Sequence, residues 1–435
     1  MSRVRLESGW LALALFALVA CVPRADTAQL TTVTAPPTET LAATMPPSET
    51  AVPTIVPTPD EPRTLVIWIP DQLLPANDET LNALLENEIN EFITVEDGVQ
   101  VEIRRKTSQD VGGVMSTLRA ASIVAPGALP DLTLLRRGSV IDAVENGLIQ
   151  PLEGRIASSV IADLFPSALR LGRAEDQLYG LPYLLDLYLY AYRDAESETP
   201  DLWTFDAVLN RGQTLAVPTI RASGMADILW LQYLAAAGGL PEDGVLELES
   251  GAVSEVLSFY EAMANSQLIA PVTFDYSAPM DYMEQLANGS VDTGIVNTAI
   301  LRYLREADPP LQYAAVPTRS GEPVTLVDGW MWVIVTPNAE QQALAGRFLN
   351  WMMDSGRHGE YAQAIAMPPA QRSSLRRWQI DGIDNSLLIE LLTEALPTQP
   401  EVDANNSARA LQTAWLDVIS GRLSAAEAAR AALEP

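Results

Sequence analysis

Apolar residues along this chain fall into short runs whose spacing switches between that of strands and that of helices. Thr64-Leu-Val-Ile-Trp-Ile69 is continuous and rich in β-branched residues, which predicts a strand buried on both faces. Beyond a loop through Pro70 and Asp71, Asn77 or Asp78 can cap a helix in which Leu81, Leu84, Leu85, Ile89 and Phe92 recur at intervals of three and four. Gly98 turns the chain into Val99, Val101 and Ile103, an alternating strand. A helix over about residues 110–123, a strand over Asp131-Leu-Thr-Leu-Leu135 and a short helix from Ser139 to Gly147 follow. Strand and helix in alternation predict an α/β domain with a largely parallel sheet.

The alternation resumes downstream. A strand at residues 214–217 leads through a loop at 218–224 into a helix containing Trp230 and Leu234, which ends at Gly238 and Gly239. A helix over about 252–265, strands at 291–296 and Gly329–Val335, and a helix over Glu340–Met353 come next. From Asn385 onward the pattern is helical, with a break at Gly421. At 435 residues the chain exceeds one typical core, so two α/β lobes are expected.

The first 63 residues have a different character. Arg3 and Arg5 precede an apolar run from Leu11 to Ala20, the anatomy of a secretory signal peptide over residues 1–20 and too short a run to span a bilayer comfortably. Leu18-Val19-Ala20-Cys21 resembles the lipobox of bacterial lipoproteins, which implies cleavage before Cys21 and acylation of that residue, an anchor at the outer face of the cell membrane. Residues 21–63 are rich in Thr and Pro, with the near-repeats Pro36-Pro-Thr-Glu-Thr40 and Pro46-Pro-Ser-Glu-Thr50, and have too little bulky apolar surface to offset their ordering entropy. They are expected to form a disordered tether. Cys21 is the only cysteine, so no internal disulfide can staple the body. A net charge of -29 makes nucleic acid a poor partner. A single histidine, His358, argues against a histidine-based metal site or proton relay, and neither a metal nor a cofactor is expected.

In open parallel sheets, ligands bind beyond the carboxyl ends of the strands. That rule selects Asp71 and Gln72 after the first strand, Arg136 and Arg137 after the third, the 218–224 loop, and Asn297 with Thr298. Trp68, Tyr183, Trp230 and Trp330 are candidates for stacking on the apolar face of a sugar ring, although Trp68 and Trp332, within apolar strands, read better as core. Asp186 lies inside the apolar stretch Tyr183-Leu-Leu-Asp-Leu-Tyr-Leu-Tyr-Ala-Tyr192, where a buried carboxylate needs partners.

The order of these landmarks resembles the family 1 extracellular solute-binding proteins, the class containing maltose-binding protein. The resemblance rests on Gln177-Leu-Tyr-Gly-Leu-Pro-Tyr-Leu-Leu-Asp186, on Pro130-Asp-Leu-Thr-Leu-Leu135 with Glu145-Asn-Gly-Leu-Ile-Gln-Pro-Leu152, and on Leu202-Trp-Thr-Phe-Asp206 and Gly238-Gly239. Asn288-Gly-Ser-Val-Asp-Thr-Gly-Ile-Val296, Val327-Asp-Gly-Trp-Met-Trp332 and Ala345-Gly-Arg-Phe-Leu-Asn-Trp351 extend it over about residues 64–435. It implies an α/β, two-lobe, periplasmic-binding-protein-like (Venus flytrap) fold with hinge crossings, one near Tyr183–Asp186 and a return near Gln312–Pro323. Lobe 1 is then expected over residues 64–185 and 315–365, and lobe 2 over 186–314 and 366–435. Ligand contacts are implied at Asp71, Arg137, Tyr183, Asp186, Ser223, Asn297 and Trp330, and Trp230 joins them as an aromatic candidate. The implied role is that of a monomeric, lipid-anchored receptor that delivers a small solute, foremost a carbohydrate, to an ABC permease. Sugar binders commonly carry a Trp shortly after the strand where this chain has Ala299. A trap-fold envelope protein used for sensing, adhesion or assembly without import, and a carboxylate-based glycoside-processing enzyme, are the alternatives.

Overall fold

Strand β1 (Arg63–Pro70) lies between two parallel neighbours, β2 (Val99–Lys106) and β3 (Leu132–Arg136), so both of its edges are paired, and side chains from both of its faces, Leu65, Ile67 and Ile69 on one and Trp68 on the other, are buried. Edge strand β2 keeps the alternation expected of a half-exposed strand. The computed structural model describes residues 62–107, 112–174, 176–193, 199–221, 224–239, 246–270, 273–398 and 406–434. The leader, Cys21, most of the tether and Ser223 lie outside them.

The helix Glu79–Val95 starts at Asp78, whose carboxylate accepts the Leu81 amide at 3.0 Å, and buries Leu81, Leu85, Ile89 and Phe92. A small hairpin, β4 (Arg173–Ala174) with β5 (Gln177–Leu178), precedes the longest strand, β6 (Leu181–Tyr192). Beyond it come β7 (Leu215–Ala216), β8 (Thr293–Asn297), β9 (Gln312–Ala314), β10 (Leu326–Ile334) and β11 (Leu396–Pro397). The main sheet runs β2-β1-β3-β10-β6-β8-β7, with β9 paired to β6 and β11 to β10. Strand β10 is antiparallel to both β3 and β6 and sits in the middle of this sheet.

Strand β6 is the crossing. Its first half, Leu181–Leu187, pairs with β10, and its second half, from Tyr188, pairs with β8 and β9. The chain returns beside it, where the Thr325 hydroxyl accepts the Tyr188 amide at 3.0 Å and donates to the Tyr188 carbonyl at 3.0 Å. A third passage is β11, Leu396 opposite Leu326 and Pro397 opposite Val327.

Two hydrophobic cores flank the crossing. Along the return segment the chain contributes to both cores by turns, with Leu311, Tyr313, Ala315 and Val327 in the first and Ala314, Val316 and Leu326 in the second. Leu375, Trp378, Leu388, Leu391 and Leu392 pack into the first core, and the Ser167 hydroxyl donates to the Leu392 carbonyl. Residues 366–395 therefore pack with the first core, a range that the resemblance places in lobe 2; Leu286, Ile300, Leu301 and Leu304, also expected in lobe 2, pack there too. The chain changes sides at β11, and the helices Asn406–Ile419 and Ala425–Leu433 complete the second core. Among the described residues no helix is long and apolar enough to cross a membrane.

Among the buried polar residues, Glu88 lacks compensation. Glu88 is buried on the helix Glu79–Val95, and neither carboxylate oxygen has a hydrogen-bond partner. Burial pushes its pKa from 4.5 up to about 8; Arg357 pulls it down, and Glu360 and Glu91 add to the rise. The folded state therefore keeps a proton that the unfolded chain releases above about pH 4.5. Stability that is fully present below that pH declines as pH rises and is lost by about pH 8. Glu88→Gln removes this dependence: in urea unfolding, the variant should be close to the parent near pH 4.5 and more stable by a few kcal/mol, as an order-of-magnitude figure, at pH 8. Equal gaps at the two pH values would contradict the assignment.

Candidate functional site

The point where β6 passes from one set of strands to the other carries Asp186, whose side chain is 4% exposed. A carboxylate so placed must be compensated. One oxygen accepts from the Arg136 guanidinium at 3.0 Å and from the Asn297 side-chain amide at 3.0 Å. The other accepts from the Thr298 hydroxyl at 3.3 Å and the Ala299 amide at 3.1 Å. Arg136 ends β3 on one side of the crossing, and Asn297, Thr298 and Ala299 leave β8 on the other, so one carboxylate ties the two sides together.

Arg136 has a second carboxylate partner, with Nε donating to Asp328 at 2.8 Å. The other Asp328 oxygen accepts the amides of Gly329 at 2.7 Å and Arg137 at 3.3 Å. Burial works against the guanidinium charge, but Asp328 and Asp186 outweigh it and hold the pKa well above the usual arginine value. Close by, the Tyr188 hydroxyl donates to Asp227 at 2.7 Å, and Arg221 donates to the other Asp227 oxygen at 2.9 Å. Burial, followed by the Asp227 charge, raises the Tyr188 pKa well above its ordinary value, so this hydroxyl remains a donor.

Three adjoining hollows of about 410, 300 and 330 Å³ open around Arg136, which lines all of them. The first is bounded by the paired charges just described together with Ser139 and Thr398. Trp330 lines the second and the third, with its ring 5.8 Å from the Arg136 guanidinium carbon. Local backbone geometry aims it there. The register of β10 on β6 shifts between Trp330 and Met331, and a Cβ at Gly329 would collide with the Leu184 carbonyl, so only glycine lets the two strands approach so closely. Facing Trp330 in the second hollow are Gln72 and Leu73 from the loop after β1, and Met280, Ala299, Arg302 and Tyr303 from the other side of the crossing.

Two polar atoms of residues that line the second hollow are buried without a hydrogen-bond partner: Asn297 Oδ1 and Arg302 Nε. Because the Asn297 amide nitrogen must face the acceptor-only Asp186, its oxygen is the group left over. Leaving such groups unmet costs about 1–3 kcal/mol each.

The structure brings Asp186, Asn297 and Trp330 together and disperses the other expected contacts. Arg137 opens the helix Arg137–Glu145 and points away, donating to the carbonyls of Arg170 at 3.0 Å and Leu171 at 3.2 Å; its neighbour Arg136 is the cleft guanidinium. Tyr183 is buried in the first core, stacked on His358 at 4.8 Å and packed on Trp332 at 5.6 Å. His358 Nε2 donates to the Tyr183 carbonyl at 2.6 Å, and burial lowers the imidazole pKa. Trp230 is buried in the second core against Tyr233. Trp68 is buried with the Lys106 ammonium 4.1 Å over its ring. Asp71 is exposed just beyond β1, where its neighbours Gln72 and Leu73 line the hollow. Sequence reasoning missed Arg302, Tyr303 and Met280; the exposed Tyr303 supplies an aromatic group four residues beyond Ala299. Among the described residues no group of three or more His, Cys, Asp or Glu side chains is placed to hold a metal ion.

The sequence model for bacterial extracellular solute-binding proteins matches residues 90–381, about two thirds of the chain. The chain belongs to that family. No curated protein matches it by sequence. Solved structures match the fold of this solute-binding protein at low identity. The cyclic alpha-maltosyl-1,6-maltose binding protein of Arthrobacter globiformis is 18% identical with a TM-score of 0.67, the match covering 86% of this chain and 97% of that one. An ABC transporter solute-binding protein of Thermotoga lettingae, bound with alpha-D-tagatose, is 20% identical with a TM-score of 0.62 over 86% and 98% of the two chains. The sugar-binding protein MalE of Xanthomonas citri is 14% identical with a TM-score of 0.63 over 85% and 95%. The fold is thus the two-lobe trap of periplasmic binding proteins, and the family is one of extracellular binding proteins.

Asp186→Asn keeps the side-chain shape and removes the charge. It should lower the unfolding free energy by about 2 kcal/mol, less than for a wholly buried pair because Arg136 is partly exposed. Urea denaturation of the unliganded protein measures this, and an unchanged midpoint would show that the carboxylate clamp contributes nothing.

Proposed function

We propose that this solute-binding protein is the receptor of an ABC importer and that its solute is a carbohydrate held between the lobes around Arg136 and Trp330. One observation carries this reading: Trp330 and Asn297, whose Oδ1 is buried without a partner, line the same hollow of about 300 Å³. An aromatic face suits the CH face of a sugar ring, and a buried acceptor suits a hydroxyl that donates. The charges around the first hollow are spent on one another, Arg136 on Asp186 and Asp328 and Arg221 on Asp227, which favours hydroxyl-rich solutes over amino acids or polyamines. Structures of the same fold include a cyclic alpha-maltosyl-1,6-maltose binding protein, a sugar-binding protein, and a solute-binding protein bound with alpha-D-tagatose.

Closure follows from the same geometry. The walls of the second hollow come from both sides of the crossing, so a solute touching both makes contacts in the closed state that the open state lacks, and it shifts the population by that difference. The lipobox-like Cys21 and the Thr/Pro-rich tether support attachment of this trap to the outer face of the membrane, within reach of a permease, as a monomer.

A thermal-shift screen of saccharides tests the reading, since a tight solute raises the melting temperature by mass action. For a saccharide that does so, Trp330→Ala should weaken binding about tenfold or more while leaving the far-ultraviolet circular dichroism unchanged. Stabilisation by amino acids or polyamines alone would overturn the carbohydrate assignment.

A further inference from the structure

Each arginine around the cleft has a carboxylate for its charge except one. Arg136 is held by Asp186 and Asp328, Arg221 by Asp227, and Arg119, at the edge of the third hollow, by Asp142. Arg302 forms no ion pair within the described residues. Its guanidinium lies 4.6 Å from the centroid of the Tyr303 ring, with one nitrogen directed at the Tyr303 hydroxyl and another donating to the Gln72 carbonyl at a long 3.4 Å. Arg302 lines the second hollow, and its Nε is buried with no acceptor.

The arrangement leaves a specific vacancy in the hydrogen-bonding pattern. A guanidinium presents Nε and one terminal nitrogen as a fork matched to the two oxygens of a carboxylate, and such charge-assisted bidentate bonds are about twice as strong as neutral ones. The only other charge lining this hollow is Arg136, already shared between two carboxylates, so an incoming anion meets no fixed negative group on the hollow's lining. The net charge of -29 acts from farther away and is screened within about 10 Å at ordinary ionic strength.

We infer that Arg302 receives the carboxylate of an acidic saccharide, so that the solute class is uronate-bearing rather than wholly neutral. This rests on the carbohydrate reading above and narrows it. Trp330 and Asn297 Oδ1 address features that every sugar has, a ring face and a hydroxyl; Arg302 addresses one that only acidic sugars have.

Isothermal titration of the full-length protein with tetragalacturonate, cellotetraose and citrate separates the cases. The uronate tetramer should bind about tenfold or more tighter than the neutral one, with the margin narrowing as salt is raised. Arg302→Gln should erase that margin, and Arg302→Lys should recover part of it, with circular dichroism reporting that both variants fold. Equal binding of the two tetramers, or a margin that survives Arg302→Gln, overturns the charge assignment and leaves the carbohydrate reading standing. Binding of citrate alone, lost in Arg302→Gln, upholds the arginine and overturns the carbohydrate reading. Silence with all three probes overturns both.

Discussion

The Asp186 carboxylate is the interaction on which the two-sided architecture depends. It stands on the one strand common to both halves and takes donors from each: a guanidinium from the end of β3, and an amide, a hydroxyl and a backbone N–H from the segment leaving β8. A charge buried this deeply is tolerable only when its acceptor capacity is used, and here four donors use it. Asp328 extends the clamp by holding Arg136 from the far side, so that neither acid faces an unshared positive charge.

This economy shapes what is left for a solute. The strongest electrostatic groups in the cleft are committed to holding the walls in place, which makes them preorganised scaffolding. On the proposed reading, recognition falls to residues with capacity to spare: Trp330, Asn297, and the Arg302–Tyr303 pair. Asn297 belongs to both groups, since its nitrogen serves the clamp and its oxygen is buried without a partner.

Much of the scaffold was legible in the chain. The continuous apolar run of β1, the capped helix after it and the alternation of β2 each carry a local signature that tertiary packing preserved. Asp186 stood out because a lone acid in an apolar strand demands a partner, yet nothing local said that its partners would be protein groups. Arg137 was taken where Arg136 is the cleft residue, because one step at a strand end reverses the direction of a side chain and the exact end of β3 cannot be read from composition. Tyr183 and Trp230 were legible as aromatics but not as core, a distinction made by the neighbours that long-range folding supplies. Tyr303 and Arg302 lie on a one-turn helix without any periodic signal, and the packing of residues 366–395 on the first core was not legible because helical pattern says nothing about which core a helix covers.

The shared strand has a mechanical meaning of its own. Because β6 is hydrogen-bonded along its first half to β10 and along its second to β8, sliding one half past the other would break ladder bonds on at least one side, whereas bending at Leu187–Tyr188 leaves both ladders intact and is resisted by the Thr298 and Thr325 hydroxyls bonded to those two residues. A joint of that kind turns more easily than it slides, so opposing groups on the two walls keep their order along the cleft as its angle changes.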